Sequence, residues 1–213
     1  MIRIAKTNEK PASLTTTKAY EGEDVKRRLF ADQLSKCYLC ERVVSTDFQI
    51  EHLKSCQNYP ELRTEWRNLL LSCNYCNQKK GCRFDNIINP LECNVEDIIE
   101  QRIDYVSKRA TFESHNKTSE VEAAIHLLES IFNGESKLRK LKEEKFYEEV
   151  ESILNRFIQK VNAYKYSPSE TVEDAIREEL TIDMELLGFK YWIIKGEPAL
   201  YAVFANDIIW NKQ

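Results

Sequence analysis

Apolar positions change period along the chain. From Tyr20 to Ser35, Val25, Leu29, Phe30 and Leu34 recur at helical spacing. Residues 1–19 ahead of them read as an irregular arm, because Pro11 and the Thr15-Thr16-Thr17 run discourage a helix. Phe48, Ile50 and Leu53 suggest a short strand, Glu61–Trp66 a brief helix, and the unbroken run Leu69-Leu70-Leu71 a buried strand. Asn74–Lys80 reads as a helical turn that stops at Gly81. Behind Pro90 the period is helical throughout. Val95–Val106 carries Val95, Ile98, Ile99, Ile103 and Val106 on one face, and Val121–Phe132 carries Ile125, Leu128 and Ile131. The longest segment, Ser136–Tyr164, has the stripe Leu138, Leu141, Val150, Ile153, Leu154, Phe157 and Val161. That stripe reads first as core. A further helix over Thr171–Leu187 is closed by Gly188, and residues 190–194 fit a strand or the start of an apolar helix. The pattern predicts an α+β protein, mostly α, with a small strand–strand–helix unit inside residues 1–90 and a helical region over 91–213.

Composition narrows the class. With 42% hydrophobic and 31% charged residues the 213-residue chain can bury a core, which argues against wholesale disorder. Five Gly and five Pro exclude collagen-like and linker-dominated chains. Charge-free stretches fall short of the roughly 18–20 apolar residues a membrane helix needs, and the first residues lack the apolar run of a signal peptide. A cytoplasmic protein with no membrane contact is expected. The net charge of −4 hides an asymmetry. Residues 1–84 hold 15 basic and 10 acidic side chains, against 16 and 25 in residues 85–213, so a polyanion is expected at the front.

Seven cysteines without a secretory signal do not form a disulfide framework. Four of them make two matched pairs, Cys37-Tyr-Leu-Cys40 and Cys73-Asn-Tyr-Cys76. Two such knuckles supply the four thiolates of a tetrahedral zinc site, whereas a redox Cys-x2-Cys predicts a single pair beside a strand–helix unit. The 32 residues between the knuckles must hold a substructure of their own. Cys56, Cys82 and Cys93 lack this spacing and read as ordinary thiols.

Inside the knuckles lie Gln49-Ile50-Glu51-His52-Leu53, Trp66-Arg67-Asn68-Leu69-Leu70-Leu71-Ser72-Cys73 and Cys76-Asn77-Gln78-Lys79-Lys80-Gly81. Phosphodiester hydrolysis needs a base for water, and His52 is the histidine of this stretch; His115 and His126 lie outside it and read as non-catalytic. It also needs charge neutralisation at phosphoryl oxygen, which magnesium or manganese supplies when held by hard oxygen donors such as Glu51 and Asn77. In order and spacing the stretch Cys37–Gly81 resembles the HNH endonucleases, whose ββα-metal motif sits between two zinc knuckles in many members. The resemblance implies His52 as general base, Glu51 as acidic metal ligand and Asn77 as the last motif position. Asn68 then fastens the loop that orients the histidine. Lys79, Lys80 and Arg83, with Arg63 and Arg67, are the candidates for holding phosphates.

The opening Met-Ile-Arg-Ile-x-Lys, the string Glu-Trp-Arg-Asn-Leu-Leu-Leu-Ser-Cys and the helical back half resemble a narrower group, the nuclease subunits (PtuB) of Septu-type anti-phage systems. That resemblance implies an ATPase partner (PtuA-like) docked on the acidic helical half, and phage DNA or an RNA such as tRNA as target. Where a retron carries the same pair, it implies a reverse transcriptase and its RNA–DNA product as further partners. The chain has no glycine-rich phosphate loop, so nucleotide binding falls to a partner. Two alternatives stand beside this reading: a freestanding restriction-type HNH endonuclease, and a catalytically inactive zinc module that binds nucleic acid.

Overall fold

The computed structural model describes residues 1–16 and 19–211; Thr17, of the threonine run, lies outside them. The chain groups into two compact units. One comprises Met1–Ile99 with Ser114–Ile131, the other Glu100–Glu113 with Phe132–Gln213. Residues 91–99 and 114–131 therefore fall with residues 1–90. The whole is α+β and mostly helical, with two small antiparallel sheets.

The first unit opens with α1 (Ala12–Thr16), where an irregular arm was expected. Pro11 does not block it, because it stands ahead of the first turn and offers its carbonyl to Leu14 N–H at 3.2 Å. Helix α2 (Glu23–Asp32) follows, with Glu23 and Asp24 in the first turn, where carboxylates suit the positive end of the helix dipole. It ends before Ser35, since Leu34 and Ser35 take left-handed backbone (φ 53° and 57°) and Ser35 N–H returns to Phe30 O. Strand β1 (Phe48–His52) pairs antiparallel with β2 (Leu69–Cys73), setting Glu51 opposite Leu70 and His52 opposite Leu69. The brief helix expected over Glu61–Trp66 is instead two short 3-10 turns, Pro60–Leu62 and Trp66–Asn68.

Leu69, Leu70 and Leu71 are wholly buried, each worth about 1.5–3 kcal/mol of transfer free energy. The second edge of β2 is closed by a side chain. Gln33 receives Leu71 N–H at 2.7 Å and donates to Leu71 O at 2.9 Å, mimicking a neighbouring strand. Helix α3 (Asn74–Lys80) leaves β2 directly and stops at Gly81 (φ 50°), while Tyr75 anchors it by donating its hydroxyl to Ile131 O at 2.7 Å.

The expected helix over Val95–Val106 is cut short. Helix α4 (Val95–Ile98) gives way to a hairpin of β3 (Glu100–Asp104) and β4 (Arg109–Glu113), and Val106 at its turn is 96% exposed. Helix α5 (Ser119–Asn133) matches its apolar pattern. In the second unit Phe112, Phe132, Phe146 and Phe189 pack ring against ring, and Asn133 exchanges two hydrogen bonds with the Ala110 backbone of β4. Helix α6 (Leu141–Tyr166) buries Val150, Leu154, Phe157 and Val161, but Leu138 precedes it and both Leu138 and Leu141 are exposed. The stripe is core in its second half alone. The helix expected over Thr171–Leu187 is split into α7 (Glu170–Glu179) and α8 (Leu187–Lys195), because Thr181 bridges to Ile209 and Leu186 turns left-handed. Gly188 therefore lies inside a helix rather than closing one, and residues 190–194 are helical. Helix α9 (Pro198–Phe204) completes the unit. No helix of the described residues is long and apolar enough to cross a membrane.

Candidate active site and metal centre

The two knuckles meet. The sulfurs of Cys37, Cys40, Cys73 and Cys76 all lie within 4.8 Å of one another, and none is in a disulfide. A tetrahedral ion with metal–sulfur bonds of about 2.3 Å requires sulfur–sulfur edges of about 3.8 Å, which this cluster accommodates. The first knuckle is a tight turn: Glu41 takes left-handed backbone (φ 59°), its N–H returns to Cys37 O, and Cys37 N–H meets Arg42 O at 2.9 Å. The second is built by the strand-to-helix junction, since Cys73 ends β2 and Cys76 lies in α3, its N–H donating to Cys73 Sγ at 3.4 Å. Four buried or half-buried thiols in such a cage are a metal's donor set, with every coordination position taken by sulfur.

The same junction builds a pocket of about 430 Å³ on which Glu51, His52 and Asn77 converge. Strand β1 delivers the first two and α3 the third. His52 is nearly buried, and its Nε2 stands 2.9 Å from Arg63 O. A carbonyl can only accept, so Nε2 carries the proton and Nδ1 keeps the free lone pair. Burial pulls the imidazole below its ordinary value of about 6.5, outweighing the Arg63 carbonyl, which favours the protonated ring. The ring is therefore neutral at pH 7, as a base must be. Tyr20 meets it edge-on, with centroids 4.8 Å apart.

Asn68 faces away from this chemistry. Its Oδ1 accepts Lys54 N–H at 2.8 Å, and its Nδ2 donates to Lys54 O and Leu62 O at 2.9 and 3.2 Å. It thus fastens both ends of the loop between β1 and the Arg63 carbonyl that holds His52.

The five basic candidates separate. Arg63, Arg67 and Arg83 are exposed, and Arg63 lies 5.2 Å over the Tyr20 ring. Lys79 is half-buried beside Tyr75. Lys80 is different. None of it is exposed, so it does not reach a phosphate in this structure; its Nζ pairs with Glu51 Oε1 at 2.8 Å and meets His52 O at 2.9 Å. Burial pushes the Glu51 carboxyl up to about 6, although Lys80 opposes this. The pocket also takes in Tyr20, Lys26, Gln49, Gln57, Cys56 and Cys82, none of which was a sequence candidate. For Gln49 there was a signal, since it stands two residues before Glu51 on a strand and so shares its face. Tyr20 and Lys26 come from α2 and its approach, far off in sequence, and carried none.

The HNH endonuclease family model matches residues 37–83. The Septu protein PtuB of Bacillus thuringiensis is 38% identical over 72 residues, which cover 31% of this chain and 28% of that protein. The similarity thus spans less than a third of that relative's length. The family match begins at the first knuckle and runs just past α3, taking in β1, β2 and α3. Over residues 37–83, the stretch that holds both knuckles, the chain is thus similar to the HNH endonucleases.

Proposed function

We propose that this chain is a metal-dependent endonuclease that hydrolyses phosphodiester bonds of nucleic acid. The observation that carries the reading is His52: a neutral imidazole, its proton fixed on Nε2 by the Arg63 carbonyl, in one pocket with a carboxylate and an amide. Zinc is the ion we assign to the four sulfurs, where it holds the fold. For the reacting ion the donors fit. Among the described residues Glu51 Oε1 is engaged by Lys80 while Oε2 has no hydrogen bond, and Asn77 brings an amide oxygen to the same pocket. These hard oxygens would hold magnesium or manganese, which when bound neutralises charge on the phosphoryl oxygens.

His52 Nδ1 takes one proton from a water as the water oxygen bonds to phosphorus and the phosphorus–oxygen bond to the leaving sugar breaks, the departing sugar oxygen taking its proton from solvent water. The Arg63 carbonyl holds the imidazole in the tautomer that can do this and stabilises the imidazolium formed. Exposed Arg63, Arg67 and Arg83 are suited to the flanking phosphates.

We further assign the chain to a Septu-like defence complex in which an ATPase subunit controls the nuclease, resting on the similarity to PtuB. The test is cleavage by the chain, alone and with its encoded neighbour, in magnesium or manganese. His52→Ala is expected to lose activity by about 10²–10⁴-fold with zinc content and folding unchanged. Wild-type cleavage by His52→Ala refutes the nuclease centre and favours the binding-module alternative.

A further inference from the structure

Lys80 is a lysine wholly enclosed in protein, and an enclosed ammonium must be surrounded by counter-charge and acceptors. Its Nζ has four partners: Glu51 Oε1 at 2.8 Å, His52 O at 2.9 Å, Gly81 O at 3.4 Å and Asp85 Oδ1 at 3.7 Å. One cation therefore gathers the carboxylate and the backbone of two successive pocket residues onto the helix that carries Asn77. Lys80 is three residues beyond Asn77 and so shares its face of α3.

The two carboxylates around it are unequal. Glu51 is in close contact, and among the described residues its second oxygen has no hydrogen bond. Asp85 stands farther off but is anchored, taking Ser55 N–H and Ser55 Oγ–H at 2.7 Å each and Asn58 Nδ2 at 2.6 Å. Those bonds hold it below the ordinary aspartate range, although burial alone would raise it, so it stays negative beside Lys80.

We propose that Lys80 is a positioning residue that competes with the divalent ion for Glu51. In the metal-free pocket the ammonium neutralises Glu51 and holds it in place. A divalent ion on the same carboxylate is repelled by the ammonium beside it, and Asp85 is the fixed acceptor toward which Lys80 is drawn as that ion arrives. The pocket consequently binds a divalent ion weakly by itself and firmly once the negative phosphates of nucleic acid are present. This rests on Glu51 being a ligand of that ion.

The test is manganese binding to the full chain without nucleic acid, followed by paramagnetic resonance or calorimetry, with zinc content as the control for folding. Lys80→Met is expected to bind manganese on the order of tenfold more tightly, because a like charge a few ångströms from the ion is gone. Manganese should also raise its melting temperature more than it raises that of the unaltered chain. Asp85→Asn is expected to weaken manganese binding, and to have no such effect when combined with Lys80→Met. Manganese affinity that is unchanged or weaker in Lys80→Met overturns the proposal. If that variant fails to fold, Asp85→Asn decides, and unaltered affinity there overturns it. Glu51→Gln separates the two levels. Undiminished manganese binding by Glu51→Gln refutes the metal-site reading and this proposal with it. Loss of binding there, together with unchanged affinity in Lys80→Met, refutes the competition alone.

Discussion

Replacing Asn68 with Ala removes three hydrogen bonds at a position that is 5% exposed. The cost follows from what is left behind. Lys54 N–H and Lys54 O lose the Asn68 partner inside a loop that Asn68 helps to close, while Leu62 O keeps the Glu65 N–H at 3.1 Å. A typical net hydrogen bond contributes about 0.5–1.5 kcal/mol, and an orphaned buried group costs about 1–3 kcal/mol. Because a slackened loop admits water to some of these groups, we expect a loss of about 2–4 kcal/mol, near the lower end of that sum. The kinetic consequence is separate. Leu62 O, which Asn68 holds, is one peptide from Arg63 O, which holds His52 Nε2. Loosening the first lets the second drift, and the imidazole then samples the wrong tautomer. Cleavage should fall by about tenfold or more, the share of general-base catalysis that depends on orientation, with manganese affinity unaltered. Asn68→Asp is the sharper probe: it still accepts Lys54 N–H but cannot donate to Lys54 O or Leu62 O. Urea unfolding, zinc content and single-turnover cleavage measure these effects together. Wild-type stability and wild-type cleavage in both variants would refute the fastening role.

Cys37→Ser and Cys76→Ser should each release the zinc and unfold residues around the knuckles, because a structural zinc supplies on the order of 10 kcal/mol, beyond a domain's usual margin; elemental analysis and circular dichroism check this. Asn77→Ala should cleave poorly at low magnesium and recover in part at high magnesium, whereas His52→Ala should not recover, since added ion supplies no base; a magnesium titration of both separates them. In the second unit, Glu179 accepts from Lys160 at 2.7 Å and from Lys190 at 2.5 Å. Burial would raise its carboxyl, but these two ammonium groups hold it below its ordinary 4.5. A depressed carboxyl contributes stability that is present above about pH 4.5 and is lost as pH falls through the folded value, so Glu179→Gln should flatten the acid limb of unfolding, read by urea melts across pH.

The knuckles and the strands between them were legible because their signals are local. Cys-x2-Cys fixes two ligands within one turn, and Leu69-Leu70-Leu71 is apolar on both strand faces, as burial on both faces requires. Gly81 announced the end of α3. The hairpin of β3 and β4 was hidden, since Ile98, Ile99 and Ile103 satisfy a helical period by accident while the pairing that decides the matter involves Arg109–Glu113. The break between α7 and α8 was likewise set by Ile209, nearly thirty residues downstream of Thr181. The enclosure of Lys80 was hidden for the same kind of reason. A lysine at a helix end is ordinarily solvated, and its enclosure is created by Glu51 and Asp85 from either side in sequence.

The sulfur cluster and the oxygen pocket share elements, and that sharing decides how the proposed zinc matters. Cys73 closes β2, whose Leu70 and Leu69 pair with Glu51 and His52, and Cys76 is the residue before Asn77. An ion on the four thiolates is saturated by soft ligands and has no open position, so it takes no part in bond breaking. Yet it would pin the end of β2 to the first turn of α3, and the separation of Asn77 from Glu51 would be set by that pin and by Lys80. Removing zinc should therefore abolish divalent binding in the pocket even though no zinc ligand touches it. Losing Lys80 should loosen the pocket and strengthen that binding. The two perturbations act on the same span of chain with opposite sign, because one removes the scaffold and the other removes a competing charge.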